Sequence, residues 1–257
     1  MCPTFYVPRL FRDRAVNSKP LGRKSYGSIG HLPMSRMGPG DHACPPGYAT
    51  ICCRKPRDKH DRIIVQEKLD GSCCAVAKVH GEIVALGRAG WRAESSPFEQ
   101  HKLFHRWVLD HWQRFDDLLQ EGERVVGEWL AQAHGTRYNL RHEPFVAFDL
   151  MVADRRTPFD EFHCRVGDAF KVPYALSVGP PVEVEQALAA IQNSNHHGAI
   201  DPIEGVVYRV ERQGRVDFLA KFVRPDKVDG CYLTECSGKE AVWNWRPENG
   251  SIGGQHD

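Results

Sequence analysis

The stretch VQEKLDGSCCAVAK, Val65 to Lys78, sets an ionisable amine between an apolar run and a turn. The chain reads IIVQ before Lys68 and CCAVAKV after the turn, and these β-branched and small apolar residues favour buried strands. Between them, Leu69-Asp70-Gly71-Ser72 is turn chemistry, with Asp-Gly a hairpin signal. Lys68 is therefore expected at a strand end, facing a cleft. In water its amine is protonated and a poor nucleophile, but desolvation or nearby cations lower a lysine pKa until the free amine is available.

Four more charged residues interrupt apolar strands: Glu128 in VVGEWL, Asp149 in VAFDLM, Glu204 in PIEGVV and Lys221 in FLAKFV. A buried carboxylate or ammonium costs several kcal/mol unless it is paired or solvated. For each alone, a structural ion pair or an outward-facing strand residue is the simpler reading. Taken with Lys68 they fit one site, in which acids hold a divalent metal or ribose hydroxyls and cations neutralise phosphates.

These residues need strands to carry them. IIVQEKL, CCAVAKV and EIVALG read as three consecutive strands of an antiparallel meander, the last two joined at His80-Gly81. From Pro97 to Leu119, the residues Phe98, Leu103, Phe104, Trp107, Val108, Trp112, Phe115, Leu118 and Leu119 recur at helical spacing and are expected in the core. RVVGEWLAQ and PFVAFDLMV resume the strands. VEVEQALAAIQN reads as a helix with Val184, Leu188 and Ile191 on one face, and IEGVVYRVE and DFLAKFV pair around Gln213-Gly214. Strands and helices come in groups, so the fold class is α+β, with mainly antiparallel sheets flanked by helices. Three regions are expected: 1–60, an irregular basic N-terminal extension; 61–230, the domain carrying the site; and 231–257, a short tail whose Trp243 and Trp245 pack against that domain.

Lys and Arg number 34 against 33 Asp and Glu, so no overall basic field advertises nucleic-acid binding and any such surface is local. The runs RLFRDR, SKPLGRK and CCRKPRDKH are locally basic candidates for contacting phosphates. Nine cysteines in an odd, partly adjacent arrangement suit reduced thiols better than a disulfide framework, and Cys231 with Cys236 is only marginally spaced for zinc. No apolar run has the roughly 20 residues needed to span a bilayer, so an intracellular, cytoplasmic protein without membrane contact is expected.

Five short motifs carry a resemblance. Lys68-Leu69-Asp70-Gly71 matches the K-x-D-G nucleophile motif of the covalent nucleotidyltransferases, the superfamily of polynucleotide ligases and mRNA capping enzymes. Gly87-Arg88-Ala89-Gly90 is similar to the arginine-containing turn that follows it, Gly127-Glu128-Trp129 to the third motif, Phe145 to Asp149 to the aromatic strand after that, and Glu204-Gly205-Val206-Val207 to E-G-V-V. K-x-D-G alone is weak, but five motifs in the family's order are specific, and HGTRYNLRHEPFVAFDL resembles the ATP-dependent RNA ligases in particular.

That resemblance implies a nucleotidyltransferase fold and a reaction. Lys68 would attack the α-phosphate of ATP and hold AMP as a phosphoramidate, which then passes to a 5′-phosphate RNA end for joining to a 3′-hydroxyl. Glu67 and Phe148 would bind adenine, Arg88 and Glu128 the ribose, Glu204 a metal with Mg2+ as the default, and Lys221 the α-phosphate. The last motif usually carries two basic residues separated by one position. Here Val223 stands where the second is expected, with Arg224 as its candidate substitute. Asp70 is read as fixing the turn and Asp149 as a supporting residue. A DNA nick ligase or capping-type guanylyltransferase, and a non-catalytic module that binds nucleotides or RNA ends, are the alternatives. The first two usually carry an OB-fold after the last motif, for which the expected tail is too short.

Overall fold

The computed structural model describes residues 19–247. Its strands form two five-stranded sheets. In chain order the elements are β1 (Gly30–His31), α1 (Tyr48–Cys53), β2 (Asp61–Lys68), β3 (Ser72–Val79), β4 (Glu82–Gly87), α2 (Glu99–Asp110), α3 (Trp112–Leu118), β5 (Glu123–Trp129), β6 (Phe145–Val152), β7 (Arg155–Arg156), α4 (Phe159–Val166), β8 (Ala175–Gly179), α5 (Val184–Ser194), β9 (Gly205–Arg212), β10 (Arg215–Val223) and α6 (Thr234–Ser237). The first sheet runs β1-β10-β9-β2-β8 and the second β4-β3-β5-β6-β7. All pairings are antiparallel except that of β1 with β10. The fold is α+β, as the grouping of apolar runs suggests.

The expected meander is not formed. β2 pairs with β8 and β9, whereas β3 pairs with β4 and β5, so the chain changes sheets between Lys68 and Ser72. Local Asp-Gly chemistry favours a hairpin, but β2 is buried along most of its length and is satisfied by partners on both sides. Gly71 makes the crossing possible, because a Cβ there would meet the Trp129 carbonyl oxygen at 2.5 Å. The two expected hairpins do form. His80-Gly81 and Gln213-Gly214 both take positive φ at both positions, as a type I′ turn requires.

The helix expected over Pro97 to Leu119 is interrupted at His111, giving α2 and α3. Leu103, Phe104, Trp107, Val108, Phe115 and Leu119 enter the core against β5 and β6, with Trp129, Phe145 and Phe170. Phe98, at the N-cap of α2, does not: it is 42% exposed. On α5, Ala187 and Ile191 are buried, and Val184 and Leu188 pack partly against the first sheet's core.

Residues within the segment read as irregular fold into the domain. Leu32 is buried, α1 contributes Ile51, Cys52 and Cys53 to the first sheet's core, and the Leu32 N–H donates to the Lys221 carbonyl at 2.8 Å. Pro and Gly density hid a six-residue helix with an apolar face. The run RLFRDR lies outside the described residues. Among the described residues after β10 there is no barrel. Trp243 and Trp245 instead pack against the second sheet's core, with Trp245 edge-on to Trp129 at 5.8 Å. No described helix is long and apolar enough to cross a membrane.

A histidine pair, with His197 buried and His142 half-buried, gives the fold an acid sensitivity. His197 Nδ1 lies 3.0 Å from His142 Nε2, and His197 is almost fully buried. Burial, with His142 and His196 nearby, pushes the His197 imidazole down to about 3. An unfolded histidine takes up its proton near pH 6.5, so the stability His197 contributes is complete above that value and is lost as pH falls from about 6.5 towards 3. Between about pH 7.5 and 5.5 one such group costs about 1.4 kcal/mol. Urea denaturation of wild type and His197→Asn at the two pH values should show the wild type losing that much more than the variant. Equal losses would exclude the effect.

Candidate active site

Sheet register assembles the site. Lys68 is the last residue of β2 and pairs with Gly205, the first of β9, so residue 204 lies just beyond the ladder and beside it. Gly205 sits under the Phe222 carbonyl, where a side chain has no room. Across the seam, Cys73 pairs with Glu128 on β5, and Lys221 on β10 lies opposite Val207. Both sheets thus bring their charged residues to one cleft of about 1050 Å³, lined by Glu67, Lys68, Arg88, Glu128, Phe148, Glu204 and Lys221.

Lys68 Nζ donates to Glu204 Oε2 at 2.5 Å. Burial pulls the Lys68 amine down, but the Glu204 and Glu128 carboxylates outweigh it and hold the amine above the ordinary lysine value. The lowered lysine pKa expected from the sequence therefore does not describe this arrangement. Two carboxylates share one ammonium here, and burial, with Glu204 and Asp70 close by, pushes Glu128 up to about 8 despite Lys68. Glu128 Oε1 also accepts from the Gly71 N–H at 3.1 Å. Burial alone raises Glu67 to about 7, and its Oε2 has no hydrogen-bond partner. An unpaired buried oxygen facing a cleft fits a polar ligand group that is still to be bound.

Two supports were not visible in the sequence. Asp70 accepts from Lys227 Nζ at 2.5 Å and from the Gly135 N–H at 2.8 Å, while its own N–H donates to Tyr138 Oη at 3.0 Å. The HGTRYNL stretch therefore clamps the turn that holds Lys68, and Lys227, buried and also bonded to Thr136, is the cation that completes the clamp. On the other side Lys221 Nζ donates to Asp41 Oδ1 at 3.2 Å, and His31 Nε2 lies 3.1 Å from Asp41 Oδ2. Burial would raise the Asp41 carboxyl, but the Gly38 N–H and Lys221 bring it down to about 2. Burial and the nearby Lys68 charge lower Lys221. Two positive groups, Lys68 and Lys221, face one cleft, with the half-buried Asp41 between Lys221 and His31, an arrangement that favours an incoming polyanion.

Phe148 stands edge-on to Tyr26 at 5.1 Å. Behind it Asp149, fully buried, accepts from Tyr26 Oη at 2.6 Å, from Arg156 Nε at 3.1 Å and from Arg209 Nη2. Arg209 belongs to β9 and Asp149 to β6, so this network ties the two sheets beneath the aromatic wall. Arg88 is exposed and donates to the Gly27 carbonyl at 3.3 Å. Arg224 is the one expected residue the structure keeps out of the cleft. Its guanidinium is held by the Ile203 carbonyl at 2.6 Å and by Asp226 at 2.8 Å, because the chain turns away after Val223. Among the described basic residues of the N-terminal segment, Arg23, Arg54 and Arg57 are each paired with a carboxylate.

A profile of the RNA ligase family matches residues 61–223. The chain belongs to the RNA ligase family. One solved RNA ligase shares the fold: a point variant of the Naegleria gruberi RNA ligase, solved with AMP and Mn, aligns with a TM-score of 0.51 at 16% identity over 78% of this chain and 60% of that one. A second Naegleria gruberi RNA ligase variant, solved with ATP and Mn, aligns at 0.48 and 15% identity over 64% of this chain and 50% of that one. An archaeal ATP-dependent RNA ligase aligns at 0.44 and 18% identity over 77% and 48%. This RNA ligase family member thus spans about half the length of the last two ligases. Among curated proteins none matches the chain.

The site also fits a metal of a particular kind. No described cluster of three or more His, Cys, Asp or Glu is arranged to hold an ion. Magnesium does not need one, since it is commonly held by one or two carboxylates together with substrate phosphates. Glu204, which lines this cleft, is a carboxylate that could serve in that way.

Proposed function

We propose that this chain is an ATP-dependent RNA ligase that charges Lys68 with AMP, passes the AMP to a 5′-phosphate RNA end and joins that end to a 3′-hydroxyl. The observation that carries this reading is the Lys68 ammonium, 2.5 Å from Glu204, at the meeting of two sheets in a cleft able to take a nucleotide. Before attack Nζ gives up a proton, for which Glu204 Oε2 is the nearest acceptor. The nitrogen–phosphorus bond then forms as the bond from the α-phosphorus to the bridging oxygen breaks, and pyrophosphate leaves. The 5′-phosphate of the RNA next attacks the same phosphorus and frees Lys68. Attack of the 3′-hydroxyl on the RNA phosphorus finally expels AMP.

Lys221 neutralises the α-phosphate as charge builds, and Asp41 keeps its ammonium in place until ATP arrives. Phe148 stacks on adenine while Glu67, whose carboxyl is half protonated near neutrality, meets its polar edge. Glu128 and Arg88 hold the ribose. Glu204 and the phosphates hold a divalent ion, with Mg2+ the natural choice, which when bound neutralises the triphosphate and makes the α-phosphorus more electrophilic. A cytoplasmic place in RNA repair belongs to the same reading, in keeping with the eight free cysteines among the described residues.

The test is incubation with ATP labelled in the α-phosphate and Mg2+, followed by denaturing electrophoresis. Label that stays with the protein is expected. Glu204→Gln separates two roles of that residue. Were Glu204 only a counter-ion holding Lys68 protonated, the variant would free the amine and charge faster. As proton acceptor and metal ligand, its loss should slow charging by about 10²-fold or more across Mg2+ concentrations. Charging at the wild-type rate or above would remove both roles.

A further inference from the structure

Two large aromatic side chains stand in water on the wall of the cleft. Trp91, just after β4, is 45% exposed, and Phe98, at the N-cap of α2, is 42% exposed. Both line the cleft that holds Lys68. Single exposed apolar residues are ordinary on protein surfaces. These two differ because they share the cleft that holds Lys68, and because Phe98 heads an apolar stripe on α2 whose other large members, Leu103, Phe104, Trp107 and Val108, are buried. Cations accompany them. Lys19 Nζ lies 4.9 Å over the Trp91 ring, and Arg92, also lining the cleft, lies 3.7 Å from Glu94 through Nη1 and has a buried Nε without a hydrogen-bond partner. His101 packs edge-on against Phe98 at 5.7 Å and fixes the ring from the helix side.

An exposed aromatic surface beside cationic side chains matches the chemistry of single-stranded nucleic acid. Every base offers a π-face whatever its sequence, and the neighbouring phosphate takes a cation. The nucleotide being activated has its own aromatic wall in Phe148 and Tyr26, built on β6 and its buried ion network. We infer that Trp91 and Phe98 form a base-stacking platform for the single-stranded RNA end being joined, with Arg92 facing an adjoining phosphate. This inference rests on the RNA ligase reading and locates its polynucleotide substrate on the β4–α2 side of the cleft. Such a platform grips the end without choosing its base.

The test uses the full chain, without ATP, and a short 5′-phosphorylated single-stranded oligoribonucleotide followed by fluorescence anisotropy. Stacking is worth about 1–3 kcal/mol per base by alanine substitution, so Trp91→Ala and Phe98→Ala should each weaken binding about 5- to 150-fold. Trp91→Phe and Phe98→Tyr should retain most of the affinity. An oligonucleotide lacking the bases next to its end should lose a similar factor with wild type and little further with the alanine variants, because the same contact is already gone. Melting curves identify any alanine variant that fails to fold, and the conservative variants and the abasic probe then decide alone. Wild-type affinity in the alanine variants, indifference of wild type to the missing bases, or a loss confined to ATP affinity would each overturn the platform. Failure of wild type to form an adenylate would instead overturn the ligase reading, and the RNA affinities, measured without ATP, would still decide the platform.

Discussion

Lys68→Ala is expected to form no protein-bound adenylate above background and to lose ATP-dependent sealing of 5′-phosphate RNA by more than about 10³-fold, yet to seal RNA ends that already carry AMP. The lysine nitrogen takes part only in the first two transfers. When the AMP is supplied on the RNA, the remaining step breaks the bond between the two phosphates as the 3′-hydroxyl attacks, and no lysine bond is made. The fold should survive the substitution, because Glu204 and Glu128 lose their counter-ion at the cleft and take up protons in its place. Denaturing gels for the adduct and product gels for the two RNA substrates read the outcome. Equal loss with both substrates would mean that Lys68 supports the site instead of carrying AMP.

The largest expected effect on stability lies behind the site. Asp149→Ala leaves Arg209, 2% exposed, and Arg156 without their shared carboxylate, and leaves Tyr26 without its acceptor. Breaking a buried charge network by removing one partner costs about 3–5 kcal/mol. For a chain of this size that is a fall in melting temperature on the order of 10 °C. Nucleotide affinity should fall with it, since Phe148 leans on Tyr26 and its backbone carbonyl is a partner of Arg209. A variant melting within about 2 °C of wild type would show that the arginines find other partners.

Residue types were the legible part of the site. Lys68, Glu128, Glu204 and Lys221 announced themselves because a charge inside an apolar strand is costly and so needs a reason. Their distances were not legible, since Lys68 meets Glu204 only through a pairing between strands 136 residues apart in the chain. Local chemistry misled at Asp70-Gly71, where a hairpin signal yielded to long-range pairing that carries the chain from one sheet to the other. That crossing is what opens the cleft beside Lys68. Asp41 and His31 were missed because they lie in a Pro- and Gly-rich stretch that reads as loop, although the YATICC helix between that stretch and β2 was a faint sign of packing. Lys227 gave no signal beyond being a lysine after a turn, and only burial against Asp70 reveals its role. Arg224 erred the other way, since nearness in sequence to a motif does not keep a side chain in the cleft once the strand has ended.

The same packing changes what a truncation can test. Deleting residues 1–60 would remove Leu32, Ile51 and Cys52 from the core and Asp41 from Lys221, so such a variant would report on folding and not on RNA contact.

The central claim is that Lys68 carries AMP. Its most direct test is peptide mass mapping of the full chain after incubation with ATP and Mg2+, under alkaline conditions that preserve a phosphoramidate. One AMP on the peptide containing Lys68, lost when pyrophosphate is added back, is the expected result. AMP on a different residue, or none on a protein that nevertheless seals RNA with ATP, would contradict it.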